Sequence, residues 1–186
     1  MAMTILSRQA VRRFTRDRRG VSAVEFALLA PLMIGLYLGC AEISDGVAAD
    51  RKVSLIAATL ANLASQVTTI SSSDMTNILN ASSAIVVPYS ASKLKATLSC
   101  LKIDSTGNMT VAWSATLNGT ARATGSVVTI PSALAVPGSL LFSEVSYAYT
   151  PTVGYTITGT LTLSDHMYMA PRTQAPSYPD STKTCT

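Results

Sequence analysis

The sequence predicts an α+β chain. A long N-terminal membrane helix continues into an amphipathic helix, which packs on an antiparallel sheet of about four or five strands. Three observations carry that expectation. Val21 to Ala41 is apolar apart from Glu25. Between residues 53 and 67 the apolar side chains recur at steps of three and four, the spacing of one helix face. From Leu94 to Leu163 several runs alternate apolar and polar residues, as a half-buried strand does.

Residues 1–20 read as a basic leader that stops at a glycine, a targeting or processing segment that stands outside the fold. A disordered basic tail that only sets topology is the alternative. Six arginines (8, 12, 13, 16, 18 and 19) against Asp17 make this segment +5, whereas eight basic and nine acidic residues make the rest −1. The net charge of +4 is therefore a flank of the apolar run, and no basic nucleic-acid surface is expected on the folded part. A basic flank places residues 1–19 on the cytoplasmic side and the bulk of the chain beyond the membrane.

The run Val21–Ala41, as a helix, is roughly 31 Å long, one hydrocarbon thickness. Pro31 has no amide hydrogen to donate and should kink or loosen a turn. Ala27, Pro31, Gly35 and Gly39 share a four-residue spacing, and Gly35 and Gly39 form a GxxxG pair on which a second helix can approach closely. Glu25 is a lone carboxylate inside the run, expensive in lipid and by default functional. A glutamate that merely reaches the headgroups is the plainer reading.

No Pro or Gly interrupts residues 47–69. The helix is expected to continue to about Thr69, bent or frayed near Ser44-Asp45-Gly46, over roughly 70 Å. Val53, Ile56, Leu60, Leu63 and Val67 form the stripe that should cover the sheet. Ser71-Ser72-Ser73-Asp74 is a break and the N-cap of a short helix through about Ala84. Alternation then places strands over Leu94–Cys100 and Val111–Leu117, joined by a hairpin at Asp104–Asn108. A short strand is expected at Val127–Ile130, and a connection with one helical turn over Pro131–Pro137. Leu141–Tyr149 and Tyr155–Leu163 follow, with a turn at Pro151 and Gly154. Residues 171–186 read as an irregular tail. The organisation is a leader (1–20), a membrane helix with its extension (21–70) and an extracytoplasmic head (71–186).

Chemistry is sparse. His166 is the one histidine, and beside Asp165 on a strand it points to the opposite face. No metal site, cofactor signature or catalytic set is expected, and the chain reads as a non-enzyme. Cys100 and Cys185 in an oxidising compartment would pair and tie the tail to the sheet. A buried free thiol at Cys100 is the alternative. If the Gly20–Val21 bond is cut, Glu25 becomes the fifth residue, and the new ammonium on a neighbouring helix can meet it. That pairing would set the axial register of helices in a fibre.

Arg19-Gly20, Val24-Glu25-Phe26, Pro31, Gly39 and Glu42 together resemble the TadE/TadG-like proteins of bacterial tight-adherence (Flp-type) pili. Gly20-Val21-Ser22-Ala23-Val24-Glu25-Phe26 resembles a type IV prepilin-peptidase site. Asp50-Arg51-Lys52-Val53 through Leu60-Ala61-Asn62-Leu63 is similar to the helix that follows in that family. The resemblance implies a pilin-like fold and a pseudopilin or minor pilin of the inner membrane. It implies a prepilin peptidase cutting between Gly20 and Val21, with Val21 and Phe26 in the processing segment and Glu25 as the assembly acid. It also implies packing with other pilins through the N-terminal helix. The chain departs from the pattern at Val21, where most type IV pilins have an aromatic residue, and at Ser44-Asp45-Gly46. Two readings compete: an uncleaved membrane-anchored chain, and a periplasmic binding module lipidated at Cys40 through Tyr37-Leu38-Gly39-Cys40 or released after Ala41.

Overall fold

The computed structural model describes residues 19–129, 131, 136–152, 159–179 and 183–185, with the backbone alone at Arg19. Residues 1–18 of the leader, Ile130, residues 132–135 of the Pro131–Pro137 connection, Gly154 of the expected turn and residues 155–158 of the expected strand Tyr155–Leu163 lie outside the described residues. Helix α1 spans Arg19–Ser65 and α2 spans Ser72–Ile85. A 3-10 turn at Ala91–Lys93 leads into strands β1 (Leu94–Ile103), β2 (Met109–Leu117), β3 (Gly138–Tyr149) and β4 (Leu161–Met169). All pairings are antiparallel, in the order β2-β1-β3-β4. The chain divides into two compact units, one up to Ile43 and one from Ser44 to Thr186, with the boundary inside α1.

In the second unit α1 covers the sheet through Ala49, Val53, Ile56, Ala57 and Leu60, which pack on Leu94, Ala96, Val145, Tyr147 and Tyr149. The expected stripe holds for Val53, Ile56 and Leu60 and fails beyond them. Leu63 is only half-buried and Val67 is exposed. The remaining buried positions of α1 are alanines, including Ala61 and Ala64, and Ser65 at its end.

α1 stops at Ser65 instead of about Thr69 because the C-terminal segment captures its end. The Arg172 amide donates to the Ser65 carbonyl at 3.0 Å, and the Ile70 and Ser177 amides donate to Ser177 and Thr68 carbonyls at 2.9 and 3.1 Å. The tail is irregular yet tightly held. Trp113 Nε1 donates to the Pro176 carbonyl at 2.8 Å, Tyr178 packs on the Trp113 ring, and Cys185 is bonded to Cys100 with Cα atoms 6.0 Å apart. Ser44-Asp45-Gly46 is helical and not frayed.

α2 starts where the serine run ends. Ser71 is its N-cap, its hydroxyl accepting from the Asp74 amide at 3.1 Å while the Asp74 carboxylate accepts from the Ser71 amide at 3.2 Å. This reciprocal box satisfies two donors that a helix start leaves open. Met75 and Leu79 then pack with Ile70, Leu98, Trp113 and Leu141.

Two strand expectations differ from the structure. Val127 makes one isolated bridge to Thr110, alongside the edge strand β2, instead of a strand, and Val128 packs with Leu101, Val111 and Phe142. β4 occupies Leu161–Met169: it shares Leu161–Leu163 with the expected strand and continues to Met169, because Leu161 pairs opposite Tyr149 and Met169 opposite Leu141. The sheet among the described residues is thus four-stranded, with a bulge between Cys100 and Leu101.

Candidate functional site

The first unit is helical from Arg19, and its surface has no counterpart in the second. Twelve large apolar side chains between Val21 and Ile43 are exposed, among them Phe26 at 69%, Leu28 at 74% and Tyr37 at 73%. Leaving that many such side chains in water would cost on the order of 20–30 kcal/mol relative to burial. An apolar helix of this length meets the requirement for a membrane span, and its most hydrophobic window is wholly unburied by its own chain.

Helix geometry arranges the site residues. At 3.6 residues per turn Val21 and Gly39 share an azimuth, with Glu25 about 40° to one side, Gly35 about 40° to the other and Pro31 about 40° beyond Gly35. One sector of α1 therefore carries Val21, Glu25, Pro31, Gly35 and Gly39, and Phe26 falls outside it. α1 is helical through Pro31 without interruption. A Cβ placed on Gly20, Gly35 or Gly39 would meet nothing within 4 Å. Each interior glycine costs a helix roughly 0.5–1 kcal/mol against alanine, and no contact in the described chain offsets it. Gly20 itself lies inside α1, one residue before the expected start at Val21. Cys40 is exposed and unpaired.

The polar groups of the head hold structure together. Arg122 donates to both Glu144 carboxylate oxygens, at 2.6 and 2.7 Å, and lies 5.5 Å over the Phe142 ring. Phe142 stacks on Tyr168 at 4.6 Å, with His166 edge-on to both. Asp165 and His166 do point apart. Asp165 accepts from Ser54 of α1 and from the His166 amide, which holds its carboxyl below the usual range, while His166 is exposed on the other face. Burial pushes the Tyr168 hydroxyl up, with the Glu144 charge adding to it. Among the described residues no three His, Cys, Asp or Glu side chains gather as a metal site would require.

Sequence reasoning missed the Arg122–Glu144 pair, since the residues are 22 apart in the chain and nothing local pairs them. It also missed Tyr89, whose hydroxyl donates to the Asp45 carbonyl at 3.0 Å. A lone Tyr after Pro88 gives no sequence signal for that contact.

A family model described as TadE-like protein matches residues 20–61, the exposed apolar run together with most of the helix that covers the sheet. No curated protein and no solved structure matches the chain.

Proposed function

We propose that this chain, whose residues 20–61 match the TadE-like family model, is a pseudopilin or minor pilin that takes part in assembly of a tight-adherence pilus. The observation that carries this reading is the coincidence of that match with a helix whose apolar residues are exposed on every side. Such a helix is suited first to lipid and then to other helices, while the head folds on its own core.

In this reading a prepilin peptidase cuts between Gly20 and Val21. The Arg-rich leader stays in the cytoplasm and the head lies beyond the inner membrane. The freed Val21 ammonium of one copy meets Glu25 of its neighbour. At 4 Å such a pair is worth about 4 kcal/mol at an effective dielectric constant near 20, before the cost of desolvation. An unpaired Glu25 penalises both leaving the bundle and entering it out of register. Gly35 and Gly39 supply the close approach that this pairing requires.

Intact-mass and N-terminal analysis of protein from its native host is the test. A mature chain beginning at Val21 supports the proposal. One beginning at Met1, at a lipidated Cys40 or at Glu42 overturns it in favour of an anchored or released head. In a cleaved chain, Glu25→Ala is expected to abolish incorporation into fibres and leave the head folded.

A further inference from the structure

The head unit has an end defined by where the chain enters it, and that end carries an apolar surface. Asp45 lies in the first turn of α1 that belongs to this unit, and Tyr89 is tied to it by the hydroxyl bond described above. The Tyr89 ring packs 6.0 Å from Tyr147 and 6.4 Å from Tyr149, so the segment before it is held firmly against this end. That segment presents Val87, 61% exposed, and an exposed Pro88. Leu161, paired opposite Tyr149 at the start of β4, is 44% exposed, and Val47 is 47% exposed. These are three of the seven large apolar side chains that the described head leaves in solvent, and they share one end.

We propose that this end is a lipid-facing surface that seats in the headgroup layer of the bilayer crossed by α1. The inference rests on the membrane reading of α1. Chain continuity supplies the argument. Asp45 follows Ala41 by four residues, about 6 Å along a helix, and the headgroup zone extends roughly 5–8 Å beyond the hydrocarbon. Asp45, and Tyr89 bonded to it, therefore stand at headgroup depth. A tyrosine with an apolar body and a hydrogen-bonded hydroxyl suits that layer. Lys93, whose ammonium donates to Thr150 at 3.0 Å, adds a cation at the same end. Asp45 and Asp50 are exposed there as well, so charge does not favour one lipid headgroup over another. Seating is expected to depend on apolar burial and not on anionic lipid content.

The test uses the full chain with Cys40→Ser, its Cys100–Cys185 bond intact, reconstituted into vesicles of phosphatidylcholine or of phosphatidylethanolamine with phosphatidylglycerol. Nitroxide labels go, one at a time, on Val87→Cys, Leu161→Cys, Leu36→Cys and Val127→Cys. Their oxygen and nickel-chelate accessibilities report depth. Leu36 marks the span, and Val127, exposed beside the Thr110 bridge, marks the opposite end of the head. The expected result is a shift of the Val87 and Leu161 labels toward the Leu36 value in both lipids, with Val127 fully aqueous. Val87 and Leu161 values equal to Val127, with Leu36 in lipid, would overturn the seating and leave the membrane reading intact. An aqueous Leu36 label would overturn both. Spin–spin broadening at Val87 without lipid exposure would assign the surface to a second copy of the chain and overturn the lipid proposal.

Discussion

Replacing Gly35 and Gly39 separates what the chain needs for itself from what an assembly needs of it. A methyl group at either position meets nothing within 4 Å. Within a single chain, Gly35→Ala and Gly39→Ala therefore relieve the helix by roughly 0.5–1 kcal/mol each. Both residues lie outside the head unit, which begins at Ser44, so the melting of the head should stay within about 0.5 kcal/mol of the parent. Between packed helices the sign reverses. A side chain inserted where two backbones approach forces them apart at about 1–3 kcal/mol per site. One such site is worth roughly 5–150-fold in association at 1.4 kcal/mol per factor of ten. The assay compares the fraction of chain recovered in sheared surface fibres with the near-UV melting curve of the detergent-purified protein. Gly35→Leu and Gly39→Leu extend the series in size. Fibre recovery should fall in the order Gly, Ala, Leu while the head melts unchanged. Parent-level recovery with both leucines present would refute the packing face, and a matching loss of head stability would refute the independence of the two units.

Three further outcomes follow from the head. Leu60→Ala removes a fully buried side chain between α1 and the sheet and should cost about 2–5 kcal/mol, read as a lowered denaturation midpoint in urea. Paired replacement Cys100→Ser and Cys185→Ser opens a ring spanning a sequence separation of 85 and should cost up to about 4–5 kcal/mol in the chain-entropy treatment. The freed tail should show as faster amide exchange at Ile70 and Ser177, whose bonds join it to the end of α1. Acid should weaken the head, because Asp74, Asp104 and Asp165 are all held below the ordinary aspartate value of 3.8, chiefly by hydrogen bonds from Ser71, Thr106 and Ser54. Each favours the folded state above the unfolded pKa, and that contribution is lost as pH falls through the lower folded value. Melting temperature should therefore hold from neutral pH down to about pH 4 and decline below it. Asp165→Asn should blunt the decline.

How much was legible depended on whether a pattern is local. Val21–Ala41 was readable because an unbroken apolar run of that length has few homes. Ser71 and Asp74 were readable because a helix start leaves amides open and these two side chains close them. Val53, Ile56 and Leu60 followed from periodicity, whereas Ala57, Ala61 and Ala64 escaped it, since alanine is as common on exposed helix faces as on buried ones. The extent of α1 was over-read to Thr69 because nothing local says that Arg172 and Ser177 return to cap its end. β4 runs on to Met169 because its pairing with β3, Leu161 opposite Tyr149 and Met169 opposite Leu141, carries it past the alternation that ends at Leu163.

Within the candidate site, Pro31, Gly35 and Gly39 stand out by their spacing, Glu25 as the lone charge of the apolar run, and Val21 as the residue after the expected cut. Their common sector is a consequence of 3.6 residues per turn and needed no tertiary contact. The sequence by itself determined the helix, its apolar character and the single acid within it, because these are properties of neighbouring residues along one element. Only the tertiary structure decided that the chain's own core leaves this helix bare and that Arg172 and Pro176 close the head. The same holds for Val47, Val87 and Leu161 meeting at one end. Those outcomes join residues far apart in sequence, whose encounter is selected by the burial and pairing of the whole sheet.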